Sequence, residues 1–271
     1  MPCSTFHALA IRTWNRMHMN LTTRIRLRED GITALNLQDI SLHLGGKVEV
    51  IDFSPCVESH VTGADWEWWF LGQHSVFGAA VQAKCLSSMN DYDIGYIPNH
   101  GYPQIERLLD YSIANSIAPL YCFYNWWSMT SVPHVWPCGS YPKQDDLWGC
   151  ALADGWEVYN YHLAGNYSAS TLAAICEPWH CIVCCSPVSA DPSERAHGVI
   201  RRLSSDRMSG RTIKAYKGRD IPGPQTHDRL PQRVITAIRL ATEGNIREAA
   251  LAMGENAPRH LLIMGDLQRY L

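Results

Sequence analysis

No run of about 18 apolar residues occurs in this 271-residue chain, and its N-terminus carries no secretory apolar core. Those two absences exclude a helical membrane span and point to a cytoplasmic location. A net positive charge is missing as well. The formal net charge is −3, so no global field holds nucleic acid, and any such partner has to be met by local patches. Internal repeats and low-complexity tracts are absent, which sets aside repeat architectures. Charged residues make up only 18% against 46% hydrophobic ones, a balance that builds a sizeable core and excludes a disordered chain. The length fits one large domain, or one domain with a smaller C-terminal unit. Cysteine is not scarce: ten occur, and without a signal peptide they read as reduced thiols rather than a disulfide framework.

What is present starts with a helical pattern. Phe6, Leu9, Ile11, Trp14, Met17 and Leu21 recur at helical spacing through residues 5–28, with Arg12, Arg16, Arg24, Arg26 and Arg28 between them and no acid before Glu29. The arginines read as a solvated face, or as a face turned to phosphates. After Glu29, Gly31 suggests a break and Thr33 a cap for a second helix carrying Leu35, Leu37, Ile40 and Leu42, which Gly45 and Gly46 end. Residues 47–53 alternate as a strand.

Two further strands hold the chemistry. Gly63-Ala64-Asp65-Trp66-Glu67-Trp68-Trp69-Phe70 and Ala80-Val81-Gln82-Ala83-Lys84-Cys85 are rich in aromatic or β-branched residues and flank a turn-prone Leu71-Gly72-Gln73-His74. Alternation puts Asp65, Glu67 and Trp69 on one face and Trp66, Trp68 and Phe70 on the other, where Trp66 and Trp68 pack the core. Gln82 and Lys84 likewise share a face. Charged side chains in the middle of apolar strands are costly unless paired or bound to something. Asp65 and Gln82 could hold Mg²⁺ with the backbone carbonyl between Gln82 and Lys84, while Lys84 positions a water or stabilises charge on a phosphate. A cross-strand ion pair between Asp65 and Lys84 is the alternative reading. Gln104 opens the next helix behind Pro103, and the helix leads into a buried-type strand over residues 118–124. A strand, a helix and a strand in that spacing predict a right-handed crossover with parallel pairing.

The order of helix with Glu29, strand, Asp65 strand, Gln82-x-Lys84 strand, helix and strand resembles the restriction-endonuclease-like PD-(D/E)XK nucleases. The strings Gly-Ala-Asp-Trp-Glu-Trp-Trp, Val-Gln-Ala-Lys, Leu-Tyr-Cys-Phe-Tyr-Asn and Pro-Trp-His-Cys are also similar to an uncharacterised microbial family placed in that superfamily. The resemblance covers residues 29–125 by element order and reaches about 185 by local strings. It implies an α/β fold with an αβββαβ core, a mixed central sheet flanked by helices, in residues 29–185. An N-terminal helix (1–28) precedes that core, and a basic linker with a helical C-terminal extension (186–271) follows it. It further implies a Mg²⁺-dependent endonuclease, with Mn²⁺ as a substitute, acting on nucleic acid, DNA above RNA, in a setting such as phage defence. Glu29, Asp65, Gln82 and Lys84 are its catalytic residues, Asp65, Gln82 and Glu67 its metal ligands, and Gln104 a phosphate contact. Glu58 and Glu67 are substitutes for Glu29. A neutral Gln82 departs from the usual acid and removes one negative charge from the site. A homo-oligomer or a regulatory partner protein would supply control, since no sensor domain is recognisable.

Rival constellations remain. Cys176, His180, Cys181, Cys184 and Cys185 include a Cys-x-x-Cys with the bite of a zinc site, to be completed by Cys138 or Cys150. Residues 181–185 read equally as a buried strand with cysteine as a small apolar residue. Trp126, Trp127 and Trp136 read as a minor core or as base-stacking rings. Residues 195–219 contain eight Lys or Arg and one acid, Asp206, and read as a solvated linker or a backbone-tracking stripe. Two other functions therefore stand beside the nuclease: a non-catalytic nucleic-acid-binding or assembly module, and a zinc-organised interaction protein.

Overall fold

A computed structural model describes residues 2–23, 25–54, 63–97, 101–127, 136, 138, 139, 141–184, 190–205, 215–254 and 257–270. Helix α1 (Pro2–Thr22) and helix α2 (Glu29–Leu44) lead into strand β1 (Val48–Asp52). The hairpin of β2 (Trp66–Leu71) and β3 (Val76–Cys85) follows, then α3 (Gln104–Asn115) and β4 (Ala118–Tyr124). Next come β5 (Cys150–Asp154), α4 (Gly155–Leu163), α5 (Ala169–Ala173), β6 (Glu177–Pro178), the single turn α6 (Cys181–Cys184) and α7 (Pro192–Ser205). The chain closes with the short strands β7 (Ala215–Tyr216), β8 (Arg219–Asp220) and β9 (Thr226–His227), helices α8 (Gln232–Thr242) and α9 (Ile246–Ala252), and β10 (His260–Met264). No helix among the described residues is long and apolar enough to cross a membrane.

The protein is a mixed α/β structure whose central sheet runs β1-β10-β2-β3-β4-β5-β6, with β9 added beside the start of β3. Pairing is antiparallel for β2 with β3 and parallel for β3 with β4, as the crossover through α3 requires. Helices cover both faces. On one face Phe6 of α1 stacks on Trp68 at 5.6 Å, with Trp66, Trp68 and Phe70 buried there as alternation predicts. On the same side α2 reaches β4 through a 2.8 Å hydrogen bond between Thr33 and Tyr124. The opposite face carries α3 and α8, which meet the sheet at Lys84 and Glu67.

Several local expectations are corrected. Gly31 and Thr33 lie inside α2 rather than at a break and a cap, and Glu29 is the first residue of that helix rather than a residue before it. Residues 181–184 form a helical turn, not a strand, because a short apolar run carries no decisive period. Cys3 and Cys184 are joined in a disulfide, against the expectation of thiols throughout. Cys85, Cys122, Cys138, Cys150, Cys176 and Cys181 stand outside any disulfide, while Cys56 and Cys185 fall outside the described residues.

The C-terminal segment is not an appendage. β10 lies between β1 and β2, antiparallel to the first and parallel to the second, and its His-Leu-Leu-Ile-Met run is buried throughout, the pattern of an interior strand covered on both faces. Helix α7 occupies the front of the basic tract and packs on β2, β3 and β5. Three of the tract's described cations are engaged by other parts of the chain. Arg202 pairs with buried Glu177 at 2.6 Å, Arg195 donates to the Val183 carbonyl at 2.6 Å, and Lys217 meets Asp110 at 2.9 Å. Trp14, Trp126, Trp127, Trp136 and Trp148 form a chain of ring contacts continuous with the main core.

Glu67 and Arg233 tie that C-terminal segment to the sheet. Glu67 is fully buried on β2, and Arg233 of α8 reaches its two carboxylate oxygens at 3.0 and 3.1 Å. Trp69 Nε1 and Tyr111 hydroxyl each donate to the same carboxylate at 2.6 Å. Burial acts to lower the Arg233 pKa, but Glu67 and Tyr111 outweigh it and raise it, so the guanidinium keeps its charge. Removing one partner would leave an uncompensated buried charge. Arg233→Ala is expected to lower the unfolding free energy by about 3–5 kcal/mol, read from urea denaturation. An unchanged midpoint would show that the pair contributes nothing.

Candidate functional site

Asp65, Gln82, Lys84 and Gln104 meet at one end of the β2–β3 hairpin, on the face covered by α3. Asp65 immediately precedes β2, its backbone amide bonded to the Val81 carbonyl at 2.8 Å and its carbonyl receiving the His260 amide at 3.2 Å. The residue is therefore held between β3 and β10. Its carboxylate oxygen Oδ2 accepts the Ala83 amide at 2.7 Å and the Gln82 side-chain amide at 2.6 Å. The same Gln82 Nε2 also donates to the Ala83 carbonyl at 2.9 Å. One nitrogen thus sits between a carboxylate oxygen and a backbone carbonyl oxygen.

The other end of that amide is unsatisfied. Gln82 is 1% exposed, and its Oε1 is buried with no hydrogen-bond partner. Tyr121, the register partner of Gln82 on β4, has a buried hydroxyl that is also without one. Two buried oxygens without a protein partner are costly in an interior unless water or a ligand meets them. The donor set is all oxygen: Asp65 carboxylate, Ala83 carbonyl and, with the amide turned over, Gln82 Oε1. Such a set suits a hard divalent cation such as Mg²⁺ or Mn²⁺.

Lys84 lies two residues along the same face and is 4% exposed. Its Nζ donates to Gln104 Oε1 at 2.7 Å and sits 5.8 Å from the centre of the Tyr96 ring. Among the described residues no carboxylate comes within ion-pair distance of it, so Lys84 and Asp65 do not form a cross-strand salt bridge. A buried ammonium held by a neutral amide is poised for an anion. Gln104 reaches it because α3 starts close to the hairpin. Gly63 has φ 70°, and a Cβ there would lie 2.6 Å from the Leu108 amide nitrogen and overlap the Gln104 carbonyl. Glycine is required for that approach.

Burial pushes the Asp65 carboxyl up to about 6. The Ala83 amide and Lys84 act against that rise, nearby Glu29 adds to it, and Arg259 opposes it. Glu29, at the start of α2, is near enough for its charge to act on Asp65. Glu67 does not join it: both of its oxygens are engaged by Arg233, Tyr111 and Trp69, so the expected role as a metal ligand gives way to a structural one. Glu58 lies outside the described residues. Gln104 contacts Lys84 rather than standing exposed. Sequence reasoning missed Arg259, which precedes β10 and brings a positive charge to Asp65. Nothing local in the sequence links it to a strand almost 200 residues earlier. A raised carboxyl is not diagnostic by itself. Asp154 is also pushed up to about 6 by burial, yet it caps α4 by accepting the Trp156 amide at 2.8 Å.

A second cluster lies on the other side of the molecule from α3, near α1. Cys138, His180 and Cys181 are buried, with ligand atoms all within 4.8 Å of one another. Burial lowers the His180 pKa to about 4, so its ring is neutral.

The Asp65 carboxyl gives a signed test. Its folded pKa, about 6, exceeds its ordinary 3.8, so the folded protein holds the extra proton between those values. The associated stability is complete below pH 4 and is lost as pH rises through 6. Asp65→Asn, measured without divalent metal, is expected to stabilise the protein at pH 8 by up to about 3 kcal/mol and to flatten its pH dependence between 4 and 7. Destabilisation at pH 8 would contradict a carboxyl whose pKa the fold raises.

No curated protein matches the chain. A family model does match, over residues 2–265, and its description is a family of unknown function, DUF6615. With that match spanning nearly the whole chain, the protein belongs to the DUF6615 family.

Proposed function

We propose that the protein is a divalent-cation-dependent nuclease of the restriction-endonuclease-like type, acting on DNA, with Mg²⁺ as its cofactor and Mn²⁺ as a substitute. The observation that carries this reading is the convergence of Asp65, Gln82, the Ala83 carbonyl and a buried Lys84 at one strand end, with Gln82 Oε1 lacking a partner. The element order α2-β1-β2-β3-α3-β4 supports it, being the αβββαβ order of that fold. The sheet extends beyond that core: β10 is inserted between β1 and β2, β5 and β6 continue past β4, and β9 pairs with β3.

In this reading Asp65, the Ala83 carbonyl and Gln82 Oε1 would hold the ion. When bound, it would polarise the scissile phosphate and lower the pKa of a coordinated water. Asp65 is ionised above about 6, so the site gains its negative charge in the neutral range. Gln104 holds the Lys84 ammonium through its amide oxygen, leaving that group's remaining protons for a phosphate oxygen or an attacking water. Glu29, at the entry to α2, is an accessory acid at the cluster's edge. Arg259, paired with Asp30 at 3.7 Å, adds positive charge near Asp65. The neutral Gln82 carries less charge than an acid would, which lowers metal affinity without removing a donor oxygen. A defence role against phage follows from the resemblance alone and belongs to the same proposal.

The test compares plasmid cleavage in Mg²⁺ or Mn²⁺ by the wild type, Asp65→Ala and Lys84→Ala. Each variant is expected to lose at least about a hundredfold in rate, the scale for removing one preorganised electrostatic group. The wild-type rate should also rise with pH through about 6, as the Asp65 carboxyl gives up its proton. Equal cleavage by all three proteins would end the assignment. Metal-independent DNA binding without cleavage would favour the non-catalytic module instead.

A further inference from the structure

The cluster near α1 is independent of the nuclease reading. Cys138, His180 and Cys181 bring two sulfurs and an imidazole nitrogen within 4.8 Å of one another, all buried. His180 Nε2 and Cys138 Sγ are 3.3 Å apart, close to the roughly 3.6 Å edge of a tetrahedron with zinc–sulfur and zinc–nitrogen bonds of ordinary length. The second ring nitrogen, Nδ1, is buried without a partner. Positioning is local and firm. The His180 carbonyl accepts the amides of Val183 and Cys184 at 3.1 and 3.0 Å, so His180 starts the α6 turn and places Cys181 and Cys184 one turn apart. Trp136 Nε1 donates to the Tyr141 carbonyl at 2.8 Å, closing the loop that presents Cys138. The rings of Trp136 and Tyr141 wall the cluster at 6.1 and 5.6 Å from the His180 ring.

Three ligands leave a tetrahedral ion one position short. Cys184 packs against the Cys138 and Cys181 pair and belongs to the Cys-x-x-Cys that begins at Cys181, but its sulfur is bonded to Cys3. We propose that Cys138, His180 and Cys181 form a zinc site, and that Cys184 supplies its fourth ligand when the Cys3–Cys184 disulfide is reduced. A dithiol reductant opens that bond by taking it over: two electrons and two protons pass to the sulfurs of Cys3 and Cys184, and the dithiol becomes a disulfide. Zinc then displaces the thiol protons of Cys138, Cys181 and Cys184. The chain would exchange a covalent link from α1 to α6 for a metal link from α6 to the loop of Cys138. The donor set is soft, sulfur with one imidazole, so this ion is chemically distinct from the oxygen-bound cation proposed beside Asp65.

Zinc affinity, measured by competition with a chromophoric chelator, tests both parts. Reduced wild type and Cys3→Ser are expected to bind one zinc per chain, and the cobalt(II) forms to show tetrahedral thiolate absorption. Oxidised wild type and Cys184→Ser should bind at least tenfold more weakly. Cys138→Ser should lose stoichiometric binding. Circular dichroism confirms that each variant is folded. If Cys138→Ser is not, His180→Gln takes its place, and if that also unfolds, zinc and cobalt binding to the reduced wild type decides alone. Absence of zinc binding in both reduced wild type and Cys3→Ser would overturn the site. Equal affinity for Cys3→Ser and Cys184→Ser would overturn the role of Cys184.

Discussion

A carboxylate that the interior does not fully satisfy organises the centre of this protein. Asp65 receives one backbone amide and one side-chain amide on a single oxygen, and burial raises its pKa to about 6. Keeping such a group requires compensation nearby. Lys84 and Arg259 supply positive charge, the β2–β3 and β10 contacts hold the backbone, and Gly63 lets α3 close over the strand end.

Glu67 shows the contrast. It lies two residues from Asp65 on the same face of the same hairpin, and the alternation of a strand cannot tell them apart. Their surroundings do. Glu67 has a guanidinium, a phenol and an indole, enough donors to fill its oxygens, and it serves to anchor α8. Asp65 and Gln82 share donors sparingly and leave an oxygen unmatched. The number of donors each carboxylate meets, more than its charge, separates the two acids.

The legible parts of the fold were those with a local period. The β2–β3 hairpin, the crossover through α3 and the burial of Trp66 and Trp68 follow from alternation and spacing, and the coincidence of Asp65, Gln82 and Lys84 follows with them. Long-range placement was not legible. β10 was readable as a strand, but no local pattern assigns it a position between β1 and β2, and Arg233 and Arg259 inherit that difficulty. The α6 turn was misread because four apolar residues fit either period. The Cys3–Cys184 link spans 181 residues, and pairing among ten cysteines cannot be deduced from spacing.

The central claim is that the oxygens now bridged by the Gln82 amide form a cation site. Crystals grown with Mn²⁺ and examined by anomalous diffraction test it directly. The account predicts one manganese peak in contact with the Asp65 carboxylate, the Ala83 carbonyl and Gln82 Oε1, the amide having turned over. A map in which Gln82 Nε2 still bridges Asp65 and Ala83, with no manganese beside them, would contradict it.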